Sequence, residues 1–229
     1  METEIAFSLR RVPFLADVAE SDLSNLAVDS RLDHFRMDEA IFLQGDPTDR
    51  VWIVHDGRVK IVRQDETGRE AIIEVIPPGE VFGGGAILLP AQPATARAMS
   101  ETVETLSLSR SAYFGFLQAH PEVMLRLLRM LGGRLHSSIE LSALAGERVE
   151  RRLVHILLKL AGRTGRPDPE GMLISIPLSR QDLADMAGTT LETTIRLMSR
   201  FRRDGLVHTR HGGYLVIVDE QRLRDLARL

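Results

Sequence analysis

Glu192 and Arg196 stand four residues apart in the stretch TLETTIRLMSRFRRDG. On a helix, residues i and i+4 share a face. A carboxylate and a guanidinium so placed can do one of two things. They can pair with each other at the surface, which is worth about 0.3–0.5 kcal/mol. Or, near the start of a helix that enters the major groove of DNA, they can read bases. There the guanidinium donates two hydrogen bonds to guanine and the carboxylate accepts one from cytosine N4. Both suit a single G·C pair.

The second use needs a particular scaffold, and residues 178–207 carry its signals. Ser179 can cap a helix through RQDLADMA. Gly188 sits where that helix must stop and the chain must turn. Thr190 can cap a second helix, and Gly205 can end it. Two helices joined by a short glycine-containing turn form a helix-turn-helix. Leu183, Ala184, Met186 and Ala187 form the expected inward set of the first helix, and Ile195, Leu197, Met198 and Phe201 that of the second. Arg180, Arg196, Arg200, Arg202, Arg203 and Arg210, with His208 and His211, outweigh the nearby acids Asp182, Asp185, Glu192 and Asp204. Such a face suits phosphate contact. GLVHTRHGGYLVIVD then reads as a hairpin with glycine at its turn.

A second chemical candidate is FGGGAILLPAQPATARA, with Gly83, Gly84 and Gly85 in a row. Glycine runs can cradle phosphate through backbone N–H groups. A P-loop requires G-x-x-x-x-G-K-[ST] opening a helix, and no Lys follows here. The G-x-G-x-x-G spacing of a dinucleotide fold is absent too, and the flanks read as strand. This argues against a nucleotide-binding enzyme, and no Ser/His/Asp or metal-ligand constellation appears elsewhere.

The glycine run lies within a β-rich region. From about residue 32 to 110, short runs such as AIFLQ, RVWIVHDG, RVKIVRQ, EAIIEVI and TVETLSLS alternate with turn signals, which argues for an antiparallel sandwich or roll. A short helical segment precedes it at 7–29, where Asp17 and Ser21 could cap turns. Helical periodicity follows at 111–145, with Pro121 able to open a long helix. Met124, Leu128, Leu131 and Leu135 fall at spacings of 4, 3 and 4, a coiled-coil-like seam that Leu127 widens. The seam could pack on the chain's own sheet or on a second copy. ERVERRLVHILLKLA is a further amphipathic helix, and GRTGRPDPEG after it is either a linker or a surface hairpin.

Composition closes several doors. The 229-residue chain is 44% apolar, 27% charged and close to neutral at −3. It has no cysteine, which excludes disulfides, Cys-ligated iron–sulfur clusters and thiolate zinc sites. No signal peptide or apolar span of 18 residues is present, so a cytoplasmic location without membrane contact is expected.

The order of β-roll, long helix and winged helix-turn-helix resembles the Crp/Fnr superfamily, the cyclic-AMP receptor protein and its relatives. GRVKIVRQDETGREAIIEVIPPGEVFGGGAILL and LSRQDLADMAGTTLETTIRLMSRFRRDGLV carry the resemblance, which spans nearly the whole chain. It implies an α+β fold with a β-roll sensor at 1–116, a dimerisation helix at 117–146 and a winged helix-turn-helix at 147–229. It implies a homodimer on a pseudo-palindromic double-stranded DNA site, with Met124, Leu127, Leu128, Leu131 and Leu135 at the interface, and RNA polymerase as a partner. In the family's recognition pattern, Leu191-Glu192-Thr193-Thr194-Ile195-Arg196 keeps the Glu and the second Arg, which implies a GA half-site core. Leu191 and Ile195 depart from the pattern and leave the flanking bases open. Ser179, Arg180, Gln181, Thr190 and His211 are the implied phosphate contacts.

The sensor departs further. Cyclic-AMP-binding members carry F-G-E-x-x-L and, ten residues after the Glu, R-[ST]-A. The Glu takes the ribose hydroxyl and the Arg the cyclic phosphate. Here Gly84 stands at the Glu position and Ala94-Thr95-Ala96 at the R-[ST]-A position. Gly83, Gly84, Gly85, Ala94, Thr95 and Ser138 are thus candidates for an effector pocket in which cyclic AMP is not expected; the effector is left open, and a regulator competent for DNA without any ligand is a further alternative. No cofactor is expected; a haem would need His34, His55, His120 or His136 as axial ligand. A haem- or small-ligand-sensing regulator is the alternative within the family. A ligand-binding module without DNA function is the alternative outside it.

Overall fold

The computed structural model describes residues 5–6, 9–10, 12–64, 70–143 and 148–228. They fall into two compact units, Met1–Leu135 and His136–Leu229. The division lies inside the long helix rather than at either of its ends.

In the first unit, a helical turn at Pro13–Leu15 precedes α1 (Glu20–Val28). Eight strands follow: β1 (Ser30–Arg36), β2 (Ala40–Phe42), β3 (Arg50–Asp56), β4 (Val59–Gln64), β5 (Glu70–Ile76), β6 (Val81–Phe82), β7 (Thr95–Ala98) and β8 (Thr102–Ser109). They form two antiparallel four-stranded sheets, ordered β1-β8-β3-β6 and β2-β7-β4-β5. Then come α2 (Arg110–Ala119) and α3 (Pro121–Ala143), with Pro121 as the first helical residue.

Strand β3 shows why the roll holds together. Successive side chains point to opposite faces, and here both faces are buried. Trp52 and Val54 join Phe42, Phe82, Ala96, Ala98 and Val103 in a core inside the roll. Val51 and Ile53 join Leu23 of α1, Tyr113 and Leu117 of α2, and Val123 and Leu127 of α3 in a core beneath the helices. This explains a near-continuous apolar run in place of strict alternation.

Two expectations for this unit are corrected. Neither Asp17 nor Ser21 caps α1, whose N-cap is Ala19 without a side-chain bond. Asp17 is instead drawn to Arg126 of α3, at 2.7 Å. The apolar residues of α3 also do not form one seam. Leu127 is only 6% exposed and belongs to the unit's own core, with Met124 and Leu131 packed partly against it. Leu128 (57%) and Leu135 (63%), with Leu125, are left exposed.

The second unit begins with α4 (Val149–Thr164), followed by β9 (Gly165–Asp168) and β10 (Gly171–Ile174). GRTGRPDPEG is therefore a hairpin, not a linker. Helices α5 (Arg180–Ala187) and α6 (Leu191–Arg203) follow, then β11 (Val207–Thr209), β12 (Leu215–Ile217) and α7 (Glu220–Arg228). The four strands make one antiparallel sheet, ordered β11-β12-β10-β9. The fold is α+β. Among the described residues, no helix is long and apolar enough to cross a membrane.

Candidate nucleic-acid interface and sensor pocket

The helix-turn-helix is built by local hydrogen bonds that its sequence encodes. Ser179 Oγ accepts from the Asp182 amide at 2.9 Å, and the Asp182 carboxylate accepts from the Ser179 amide at 2.9 Å. This capping box satisfies two donors at the start of α5. Gly188 adopts the left-handed conformation (φ 58°) that ends α5, and Thr189 N donates to Ala184 O at 3.0 Å. Thr190 Oγ1 accepts from the Thr193 amide at 3.2 Å and opens α6. Gly205, at φ 70°, follows the end of α6. Helix α4 secures both helices. Arg152 Nε donates to Ala187 O at 2.9 Å, and Glu150 pairs with Arg200.

Helix α6 buries Thr194, Leu197, Met198 and Phe201. Glu192 and Arg196 are exposed on the opposite side and make no hydrogen bond or ion pair with any described residue. They are not a surface salt bridge. The inward set needs one correction: Ile195 is exposed, and Thr194 takes its place in the core. Met186 is only partly buried.

The expected phosphate contacts occupy three settings. Ser179 and Thr190 sit at the helix starts as caps. Arg180 donates to Thr209 Oγ1 at 2.8 Å, so it ties α5 to the wing, and Gln181 donates to Asp185 at 2.6 Å. Burial, then the neighbouring charge of Arg202, holds the Arg180 pKa below its usual value. His211 is exposed in the turn between β11 and β12.

The wing carries less free positive charge than the sequence suggests. Arg210 donates to both carboxylate oxygens of Asp168, at 2.7 and 2.8 Å, and to Glu170 at 2.8 Å. His208 lies 3.2 Å from Glu170. The Glu170 amide, then Arg210, holds the Asp168 pKa below its ordinary value. Arg210, then His208, does the same for Glu170. Both acids sit on the β9–β10 hairpin, about forty positions away in sequence, and only the sheet order brings them to the wing.

In the first unit, the glycine run follows β6. Its downstream flank is a helical turn, Ala86–Leu88, not a strand. Gly83 has φ 74°, and a Cβ there would lie 2.8 Å from the Trp52 ring. A Cβ at Gly84 would lie 3.1 Å from the Tyr113 hydroxyl and 3.4 Å from Val51, whereas Gly85 faces open space. Burial pushes the Tyr113 pKa up to about 12. Trp52, Phe42 and Phe82 pack together at centroid distances of 4.8–6.1 Å behind the run, Phe82 stacked on both and Phe42 tilted on Trp52. Ala94 and Ala96 are buried, and Thr95 Oγ1 accepts from the Gln44 amide at 2.9 Å. Arg97 donates to Asp38 O at 3.0 Å and, beside Thr95, lies on the less buried side of β7.

The histidines considered for haem face carboxylates. His34 and His55 lie 3.3 and 3.6 Å from opposite oxygens of Glu104. His120 lies between Asp22 and Glu122. Ser138 and His136 lie on α3, but their side chains are outside the described residues. No cluster of metal-ligating side chains occurs among the described residues.

Comparison with known proteins agrees with this geometry. Residues 32–120 match the cyclic nucleotide-binding domain model, and residues 151–226 the Crp-like helix-turn-helix domain model. The global nitrogen regulator of Synechocystis sp. is 31% identical over 176 residues, covering 76% of this chain and 78% of the relative. The chain belongs to the Crp/Fnr family. A CRP-like cAMP-activated global transcriptional regulator of Mycobacterium tuberculosis is 29% identical over 222 residues, 96% of this chain and 98% of the relative. The structure of FixK2 from Bradyrhizobium japonicum superposes with a TM-score of 0.74 at 26% identity, covering 86% of this chain and 96% of that one. This Crp/Fnr chain is thus a transcription regulator with a helix-turn-helix DNA-binding domain, not an enzyme. Helix α6 is the second helix of that motif.

Proposed function

We propose that this regulator acts in the cytoplasm as a homodimer on a pseudo-palindromic DNA site whose half-site has a GA-containing core. The observation that carries the reading is the unpaired, exposed Glu192–Arg196 pair near the start of α6. Arg196 takes guanine O6 and N7, and Glu192 accepts from cytosine N4. Ser179, Thr190 and the exposed His211 contact phosphate, with Arg180 and Gln181 beside them. Helix N-termini such as those at Ser179 and Thr190 favour anions. Leu128 and Leu135, exposed on α3, supply the apolar face for a second copy. RNA polymerase is the further partner we infer from family membership.

We further infer that the roll does not take cyclic AMP. A buried phosphate without a paired cation is costly, and Ala94 offers none where the family's Arg stands. Thr95, whose hydroxyl oxygen accepts from the Gln44 amide, is neutral and supplies no charge in its place. No haem or other cofactor is part of this proposal.

The test is binding to a randomised duplex pool at fixed salt. Enrichment of a palindrome with a guanine in each half-site is expected. Arg196→Ala should cost about 1–3 kcal/mol and relax the preference at that guanine. An unchanged preference in the variant overturns the assignment of Arg196, and the absence of any enriched site overturns the reading as a whole.

A further inference from the structure

The outward side of α6 carries more than the Glu–Arg pair. Leu191 and Ile195 are 41% and 47% exposed. Among the described residues of the second unit, the large apolar side chains left exposed are these two and Val218. Two of the three therefore sit on one helix face. At about 100° per residue, Leu191 and Ile195 form a row, and Glu192 and Arg196 form a parallel row about 100° away. Ser199, also exposed, falls between them.

Among the described residues, none buries the apolar row. The buried side of α6 is supplied by Thr194, Leu197, Met198 and Phe201. Ile is also a weaker helix former than the long polar residues usual on a solvated face. The major groove offers one apolar feature, the C5-methyl group of thymine, beside the donors and acceptors of the bases.

We propose that Ile195, with Leu191 beside it, reads the C5-methyl group of a thymine adjacent to the G·C pair taken by Glu192 and Arg196. This rests on the base-reading role of α6 proposed above. The two apolar residues are about 6 Å apart along the helix, close to two base-pair steps of about 3.4 Å. Their reach covers one or two flanking positions, so the flanking bases are selected for thymine through a methyl contact and not through a hydrogen bond.

Deoxyuridine tests this directly, because it removes the methyl and keeps the pairing. Each thymine of the enriched duplex is replaced singly, and affinity for the full chain is measured by anisotropy at fixed salt. At one or two positions next to the contacted guanine, replacement should weaken binding about fourfold, the loss expected for one buried methyl group. The penalty should shrink towards one in Ile195→Ala or Leu191→Ala and persist in Arg196→Ala. The salt slope should be unchanged in Ile195→Ala, because an apolar contact releases no counterions. Both residues are exposed, so their alanine variants keep the core intact. Guanine preference without any uracil penalty overturns this inference alone, as does a penalty that survives in both apolar variants. No enriched site overturns it together with the reading on which it rests.

Discussion

The glycine run gives the sharpest test of how the sensor is built. Gly83 is left-handed, and a Cβ there would lie 2.8 and 2.9 Å from two atoms of the Trp52 ring. The ring has little room to retreat, because Phe42 packs tilted against it at 4.8 Å and Phe82 stacks on it at 5.9 Å. Gly83→Ala therefore meets two costs. Left-handed backbone costs a Cβ-bearing residue about 1–2 kcal/mol. Overpacking against the ring costs about 1–3 kcal/mol. A less flexible unfolded chain returns about 0.4–1 kcal/mol. The net expectation is a loss of about 2–4 kcal/mol. Gly85 is the internal control: its φ is not left-handed, and no described residue beyond its chain neighbours lies within 4 Å of the point a methyl group would occupy. Gly85→Ala should be neutral or stabilising by up to about 1 kcal/mol.

Trp52 is the only tryptophan, so fluorescence during urea unfolding reports this unit directly. With m of about 2 kcal/mol/M, the Gly83→Ala midpoint should fall by about 1–2.5 M relative to Gly85→Ala. Equal midpoints for the two variants would refute the claim that Gly83 is held by the Trp52 ring and by its backbone conformation.

Other expectations follow from single features. Leu128→Glu should dissociate the proposed dimer, read by sedimentation velocity; an unchanged dimer would place the interface on another surface. In the wing, Asp168 and Glu170 have depressed pKa values in the fold, so their pairing with Arg210 contributes above the unfolded carboxylate range near pH 4 and is lost as pH falls through the folded values. NMR of the Arg210 side-chain N–H groups should show the wing pairing constant from pH 7 to 5 and released in stronger acid; release already near pH 6 would contradict it. Restoring both family charges, Gly84→Glu with Ala94→Arg, should not create cyclic-AMP binding by calorimetry, because a Cβ at Gly84 meets the buried Tyr113. Tight binding by that double variant would show that the two charges alone were missing.

What could be read from the sequence divides along physical lines. Caps and stops are local, and Ser179, Gly188, Thr190 and Gly205 all act where their residue types suggest. The β-runs were legible because turn residues punctuate them. Helix faces were less so. Ile195 resembles its neighbours Leu197 and Met198 by type, but at 100° per residue the buried centre of α6 falls on Thr194, Leu197 and Phe201. Thr194 is buried with no partner for its hydroxyl among the described residues, so hydrophobicity alone could not have placed it inside. Leu127 and Leu128 present the same ambiguity on α3, where apolar residues cover two faces and only the position of the roll separates them. The wing acids were illegible because their partners are distant in sequence.

These placements also order the two functional departures of this chain. On α6 the substitutions at Leu191 and Ile195 leave side chains exposed, free to meet a ligand, beside a Glu–Arg pair that is unpaired as well. In the roll, a side chain at Gly83 would meet Trp52, one at Gly84 would meet Tyr113 and Val51, and Thr95 accepts from the Gln44 amide. A surface altered while remaining exposed changes what is recognised. Under the base-reading role proposed for α6, the exposed Leu191–Ile195 row therefore bears on which DNA is recognised, while in the roll Trp52, Phe42 and Phe82 belong to the packed core.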